Sequence, residues 1–262
     1  MLRSIIKSIK HERNINKKSP SVDLNYLSST RQKIILNEIV KSGYSIIPDF
    51  YTAEQCAELI NEIERLLVKV KDKVWVDSFH SDHRIFGANH LSETIQSLYD
   101  NSFINEIIYA YEGTNNRVGF VLAAKLNATE ENLGSGQGWH RDNPANKQTK
   151  AILYLTDTDM EHGPFQYIKG SHKSVSVVYN QINYGFKFNQ NRFEEADINK
   201  LISNNPSLLE TVIGKAGTLI ITDTRGIHRG MPIKAGTRYA LTDYLWFNMA
   251  IPAHVNELII YK

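Results

Sequence analysis

The sequence predicts an α+β protein in which helices come first and a β-barrel core follows. Helical periodicity dominates as far as about residue 112, and β-branched or alternating strand patterns dominate from residue 117 onward. Helices followed by a run of strands are typical of α+β folds with a barrel or jelly-roll core. With 262 residues, 42% of them hydrophobic, the chain can bury one sizeable core.

The elements follow from local patterns. Helices are expected over 30–41, 92–100 and 101–112, and a further helix is expected to begin after a cap at Thr52, where Glu54 and Glu58 suit the positive N-terminal end. A short strand is expected over 44–48. The main strands are expected over 118–126, 150–156, 163–168, 217–222 and 239–247.

Residues 1–30 are predicted to be a basic N-terminal arm, and residues 31–262 a single domain. Residues 1–20 contain six basic residues and one acidic residue, which leaves 24 basic and 27 acidic residues for the remainder. Leu2, Ile5, Ile6 and Ile9 are spaced as one face of a helix, and 11–30 is expected to be a linker. Such a helix can lie on an anionic membrane surface; the alternative is that its apolar face packs on the barrel or on a second subunit.

Composition excludes several classes of protein. The single cysteine, Cys56, cannot form an intramolecular disulfide, which favours a reducing, cytoplasmic location. Cys56 itself is expected to be a small buried residue on a helix. No apolar run approaches ~20 residues, so no membrane span is expected. Because the body of the chain is slightly acidic, nucleic acid is not an expected partner.

The most informative segment contains His140 and Asp142. On an extended strand, residues two apart point to the same side, so these two side chains can hold one ion. His228 lies beside a predicted later strand and can supply a third ligand, and Arg238 can pair with a carboxylate through two hydrogen bonds. Two histidines and one carboxylate leave coordination positions open, as in non-haem Fe(II) oxygenases.

In the order of its motifs the chain resembles the phytanoyl-CoA dioxygenase family. The resemblance runs from about residue 41 to residue 247. It rests on His140-x-Asp142, the segment from Gly163 to Lys173 that contains Gly170-Ser171-His172, then His228 and Arg238, and an opening segment at 42–51.

The resemblance implies a double-stranded β-helix, a jelly-roll or cupin-like fold, with the N-terminal helices packed on it. It also implies an Fe(II)- and 2-oxoglutarate-dependent enzyme that uses O2 to hydroxylate a C–H bond, with succinate and CO2 as co-products. The implied iron ligands are His140, Asp142 and His228, and Arg238 would bind the distal carboxylate of 2-oxoglutarate. Two positions depart from the family: Arg141, where Gln is common, and Gly230, where some members carry a cosubstrate-binding Ser.

Three further residues are candidate cosubstrate contacts. Arg84 can bind a carboxylate or the substrate, or else form a structural salt bridge. On the strand from Lys150, alternation sends Lys150, Ile152 and Tyr154 to one face, so Lys150 or Tyr154 could contact the cosubstrate. Burying a lysine without a partner is costly, which favours Tyr154 or an anion-paired Lys150.

Residues near the ligands have plainer interpretations. His172 and Trp139 are expected to be structural, and exposed charge is the favoured explanation for Arg141, Arg225 and Arg229. The insertion over 180–206 is rich in aromatic residues and is expected to form part of the wall or cover of the substrate pocket; the alternative is a docking surface for another subunit.

The main alternative function is a catalytically silent jelly-roll that binds a small molecule or a protein. A halogenase would lack the carboxylate at Asp142, and a zinc- or manganese-containing cupin-like enzyme would not require Arg238. The expected partner is a small-molecule substrate, anionic or linked to a lipid or sugar. The sequence specifies neither that substrate nor the oligomeric state.

Overall fold

The strands form two antiparallel sheets in a computed structural model that describes residues 2–18 and 20–262. A seven-stranded sheet has the order β1-β8-β5-β10-β4-β3-β2, and a three-stranded sheet has the order β7-β6-β9. The strands are β1 Tyr44–Ile47, β2 Trp75–Val76, β3 Asp82–Phe86, β4 Arg117–Asn127, β5 Thr149–Tyr154, β6 Phe165–Ile168, β7 Leu209–Val212, β8 Leu219–Asp223, β9 His228–Gly230 and β10 Thr237–Phe247.

Buried side chains show that the two sheets face each other. One apolar cluster joins Tyr154 and Ile220 of the large sheet to Phe165, Tyr167 and Val212 of the small one. Two facing antiparallel sheets form the predicted double-stranded β-helix, or jelly-roll.

The helices are α1 Leu2–Lys18, α2 Thr30–Ser42, α3 Ala53–Lys69, α4 Glu93–Tyr99, α5 Ser102–Glu112, α6 Ser174–Tyr184, α7 Glu195–Ile202 and α8 Ala253–Asn256. Helices α2 to α5 cover the outer face of the large sheet. The largest apolar cluster joins the buried stripes of α2, α3, α4 and α5 to alternate residues of β4, β5, β8 and β10. The other residues of those strands face the inside, which sets the direction of every side chain in the site.

Most predicted elements are confirmed to within a few residues, and their ends have local causes. Thr52 caps α3 through a capping box with Gln55, and Ser29 caps α2 in the same way with Gln32. Cys56 is buried on α3, as expected. The short strands β2, β3, β7 and β9 were not predicted, because two to five residues give too little periodicity.

One prediction about the helices was wrong. The linker expected from residue 11 is helical as far as Lys18, because α1 packs against α6 and does not end with its apolar stripe. Ser4 accepts a hydrogen bond from Gln181, and Asn16 accepts one from Ser174. The insertion over 180–206 contains the end of α6 and all of α7. Among the described residues, no helix is both long and apolar enough to cross a membrane.

Candidate metal and cosubstrate site

Three side chains from two distant segments meet between the sheets. Oδ1 of Asp142 lies 3.5 Å from Nε2 of His140, and Oδ2 lies 3.6 Å from Nε2 of His228. One ligand atom from each residue lies within 4.8 Å of the others, so the three can hold one metal ion. Two ligand atoms that each lie ~2.1 Å from an ion, at adjacent coordination positions, are about 3 Å apart. The three side chains would therefore have to move only slightly closer together to bind one.

The backbone brings these ligands together. The N–H of His140 donates to the carbonyl of His228, and the N–H of His228 donates back, both at 2.9 Å. The N–H of Asp142 donates to the carbonyl of Thr224 at 3.1 Å. The two ligand segments are therefore paired antiparallel, and the ligand cluster is a consequence of strand pairing.

Each histidine is oriented by a carbonyl two residues before it. Nδ1 of His140 lies 2.8 Å from the oxygen of Gly138, and Nδ1 of His228 lies 2.9 Å from that of Gly226. Because a carbonyl only accepts, Nδ1 carries the proton in both rings and Nε2 is free to bind a metal. Two glycines leave room for side chains packed around these rings: a Cβ on Gly136 would lie 2.3 Å from the His140 ring, and a Cβ on Gly226 would lie 1.8 Å from the Tyr167 hydroxyl.

The protonation states suit a metal. Burial, and then the neighbouring His140, lower the pKa of His228 to about 3. Burial would by itself raise the pKa of Asp142, but Lys150, and next His228, hold it well below its usual value. Near neutral pH the site thus offers a neutral His228 and an anionic carboxylate, the forms that bind metal ions.

A cleft of about 630 Å³ opens beside the three ligands. Lys150, Ile152 and Tyr154 all face it, as the strand alternation predicted. Alternate residues of β10, from Arg238 through Ala240 and Thr242 to Tyr244, line another wall. The cleft therefore runs from the metal ligands to a buried arginine.

The guanidinium of Arg238 is not fully paired. It is buried, one Nη donates to the carbonyl of Gly163, and its Nε has no hydrogen-bond partner among the described residues. Burial lowers its pKa. A buried N–H without a partner costs free energy, and a carboxylate in the cleft would satisfy it.

Lys150 is held by a metal ligand. Its Nζ lies 2.7 Å from Oδ2 of Asp142, although not aligned for a hydrogen bond, and 3.7 Å from the centroid of the Tyr244 ring. Burial would lower the pKa of Lys150, but Asp142 outweighs it and raises the pKa. Of the two alternatives for this residue, the structure has the anion-paired lysine.

The sequence matches the phytanoyl-CoA dioxygenase (PhyH) family over residues 39–238. This segment is most of the chain and includes the three candidate ligands and Arg238. The chain belongs to the phytanoyl-CoA dioxygenase family. No curated protein matches it in overall sequence.

Solved structures share the jelly-roll. SnoN, described as a non-haem α-ketoglutarate-dependent epimerase from nogalamycin biosynthesis, is 16% identical with a TM-score of 0.61, over 87% of this chain and 88% of that one. HygX from Streptomyces hygroscopicus, with nickel, 2-oxoglutarate and hygromycin B bound, is 15% identical with a TM-score of 0.57, over 85% and 88%. EctD from S. alaskensis with bound Fe is 16% identical with a TM-score of 0.59, over 84% and 77%. At these identities the likeness shows the fold.

One departure from the phytanoyl-CoA dioxygenase family has a local compensation. A Cβ on Gly230 would lie 2.8 Å from the Cβ of Ser135, so the side chain of Ser135 occupies the space that a serine at 230 would need. Ser135 and Gly230 both line the cleft. Ser135 was not among the residues predicted from the sequence, because only the fold brings the glycine-rich loop over 134–138 against β9.

Two further candidate cosubstrate contacts, Arg84 and Tyr154, already have partners within the protein. Nε of Arg84 donates to Asp82 at 2.9 Å, so Arg84 is in the structural salt bridge that was its alternative. The ring of Tyr154 lines the cleft, but its hydroxyl donates to the carbonyl of Val212 and accepts from the N–H of Phe165. Its one O–H is therefore already used within the protein.

His172 lies outside the ligand cluster, and its Nε2 lies 3.3 Å from the carbonyl oxygen of Val40, in keeping with a structural role. Trp139 is buried in an apolar cluster, also as expected. The exposed-charge interpretation was wrong for Arg141 and Arg225, which are both buried. Burial, and then Arg225, lower the pKa of Arg141 to about 10.

The insertion supports the first ligand segment from behind. The N–H of Arg141 donates to Asn191, and the N–H of Phe193 donates to Trp139. Phe186, Phe193, Ile198 and Leu201 pack against Trp139. The residues that line the cleft come from other segments, and in this structure the insertion packs behind the segment that carries His140. Its part in covering the substrate stays a prediction.

Proposed function

We propose that this chain is an Fe(II)- and 2-oxoglutarate-dependent oxygenase that hydroxylates a C–H bond of a small molecule. The observation that carries this function is the incompletely paired guanidinium of Arg238, which lines the same cleft as His140 and His228, two of the three candidate metal ligands. Family membership supports the same class of reaction.

The residues fit both groups. His140, Asp142 and His228 would hold the metal, and Arg238 would pair with the distal carboxylate of 2-oxoglutarate. When bound, iron and 2-oxoglutarate supply the oxidising power, with succinate and CO2 as co-products. The protein's part is to fix the histidine tautomers and to keep Asp142 anionic.

The rival is a silent jelly-roll that binds a small molecule without turnover. Such a protein has no need of two histidines and an anionic carboxylate clustered beside a buried arginine. Halogenation is disfavoured because Asp142 occupies the position that chloride would need. SnoN is described as an epimerase and SnoK as a carbocyclase, so the product has to be identified as well as the succinate.

The substrate is proposed to be a small molecule, since SnoN is described in complex with nogalamycin RO and HygX with hygromycin B bound. We also propose that residues 31–262 act as one catalytic domain, located in the cytoplasm.

The outer face of α1 is strongly basic. Arg3, Lys7, Lys10, Arg13 and Lys17 are all exposed, whereas Glu12 is buried and Ile5 and Ile9 are partly covered. We infer that an anionic membrane surface can be bound through these charges and not through the apolar stripe. Cosedimentation with vesicles containing phosphatidylserine, but not with pure phosphatidylcholine, would support this contact, and equal binding to both would exclude it.

The decisive experiment measures succinate in the presence of Fe(II), 2-oxoglutarate, O2 and a panel of small molecules. We expect 2-oxoglutarate-dependent succinate that increases with the right substrate, and a product heavier by one oxygen. Tight metal and 2-oxoglutarate binding with no succinate under any condition would favour the silent binding protein.

A further inference from the structure

The N-terminal helix reaches the metal site through one buried charge. Glu12 lies on the inner face of α1, and its carboxylate pairs with the guanidinium of Arg225. The two side chains are only 6% and 4% exposed. Helix α1 lies outside residues 39–238, the segment that matches the family.

Arg225 belongs to the turn that orients a metal ligand. Its N–H donates to Oδ1 of Asp223 at 2.9 Å, and the N–H of Gly226 donates to the carbonyl of Asp223 at 3.1 Å. The carbonyl of Gly226 in turn accepts from Nδ1 of His228. The turn from Asp223 to Gly226 thus carries both the Arg225 side chain and the carbonyl that sets the direction of the His228 ring.

A second turn joins this one to the other ligand segment. The carbonyl of His172 accepts from Arg225, and the carbonyl of Ser171 accepts from Arg141, the residue between His140 and Asp142. The hydroxyl of Ser171 accepts from the N–H of Ile227 at 2.7 Å. Both ligand segments are thus tied to the Ser171–His172 turn, with Arg225 as one of the ties.

Buried cations need a partner, and removing one member of a buried pair leaves the other uncompensated. Within the described part of the chain, Glu12 is the carboxylate that forms an ion pair with Arg225. Without it, Arg225 would have to turn toward solvent and break its contact with His172.

We propose that Glu12 is a positioning residue of the metal site: it holds Arg225, and through the Arg225–Gly226 turn it fixes the orientation of His228. This inference rests on the proposed metal site. It assigns α1 a part in building that site, separate from any contact made by its basic outer face.

The test compares two glutamates that each pair with an arginine near His228. Glu12 is buried with Arg225, whereas Glu195 pairs with Arg229 and is 62% exposed. In the full-length protein, Glu12→Gln should weaken Co(II) binding by about tenfold and change the visible absorption of the bound Co(II), as losses of supporting contacts around metal ligands do. Glu195→Gln should leave both unchanged, since exposed ion pairs contribute little.

A double-mutant cycle shows whether Glu12 acts through Arg225. If it does, Glu12→Gln should have little further effect on Co(II) affinity in an Arg225→Met background. The proposal is overturned if Glu12→Gln lowers the melting temperature while the folded protein keeps the wild-type Co(II) affinity and spectrum. It is also overturned if the two substitutions are additive.

These measurements need no turnover, so they can be separated from the proposed reaction. Wild-type protein that binds Co(II) but never forms succinate would refute the oxygenase and leave the comparison of Glu12 with Glu195 intact. Conversely, an active oxygenase whose Co(II) site is insensitive to Glu12→Gln would refute only the positioning role.

Discussion

The ammonium group of Lys150 lies 2.7 Å from Oδ2 of Asp142, so the one anionic ligand of the candidate metal site already has a cationic partner. This partner acts in two opposite ways. It restrains the carboxylate, which helps to orient it, but its charge also repels a divalent cation only a few ångströms away. Two charges ~4 Å apart interact by several kcal/mol at an effective dielectric constant near 20, so the repulsion should outweigh the loss of orientation.

We therefore expect Lys150→Met to tighten Co(II) binding by roughly threefold to tenfold. This is the gain from removing the charge repulsion, less the loss from the weaker orientation of Asp142. The same change should weaken 2-oxoglutarate binding to the metal-loaded protein, because the dianion loses a nearby positive charge. Titrations of Co(II), and then of 2-oxoglutarate, measure the two effects separately. Weaker Co(II) binding in Lys150→Met would show that orientation of Asp142 is the larger effect.

Asp142→Ala should abolish turnover, because it removes the only carboxylate of the ligand cluster and leaves Lys150 beside the metal position. Metal content and succinate formation are the measurements. His172→Ala is the matched control, since His172 contacts Val40 and not the cluster, and it should keep its iron. Loss of metal from His172→Ala to the extent seen in His228→Ala would place His172 among the ligands.

Arg238→Met tests the cosubstrate anchor. Loss of a charge-assisted pair with a buried carboxylate costs about 2–5 kcal/mol. The apparent dissociation constant for 2-oxoglutarate should therefore rise by at least ~30-fold. Co(II) affinity and thermal stability without cosubstrate should change little. If Arg238→Met unfolds much of the protein but the fraction that remains folded binds 2-oxoglutarate normally, Arg238 is a structural residue and not the anchor.

Asp243 gives a prediction about pH. It is fully buried on the helix-covered face of β10, neither carboxylate oxygen has a hydrogen-bond partner among the described residues, and burial raises its pKa from 3.8 to about 7. Between these values the unfolded chain releases the proton and the folded protein retains it, so the contribution of Asp243 to stability falls as pH rises from about 4 to about 7.

The free energy of unfolding of Asp243→Asn should therefore exceed that of the wild type by about 2–4 kcal/mol at pH 8. At pH 5 the difference between the two proteins should be less than half as large. Urea unfolding at the two pH values measures this difference. Asp72→Asn, at an exposed position, should show no such dependence. A gap that is the same at both pH values would mean that Asp243 is not protonated in the folded protein near neutral pH.

Local sequence patterns determined where the longer strands lie along the chain and the direction of their side chains. His140 and Asp142 point to one side because they are two residues apart on extended chain, and Lys150, Ile152 and Tyr154 share a face for the same reason. The capping sequence at Thr52 likewise fixed the start of α3. These features depend only on residues close together in the chain.

Tertiary structure decided which partner each side chain meets. The sequence placed Lys150 in the cleft, but only the pairing of distant segments set it against Asp142, and only the fold put Ser135 beside Gly230 and Tyr154's hydroxyl on the backbone. The pair of Glu12 and Arg225 joins residues 213 positions apart. Periodicity along the chain encodes the direction of a side chain, whereas the contact at its end depends on which remote segment packs there, and that is settled only when the sheets and helices assemble.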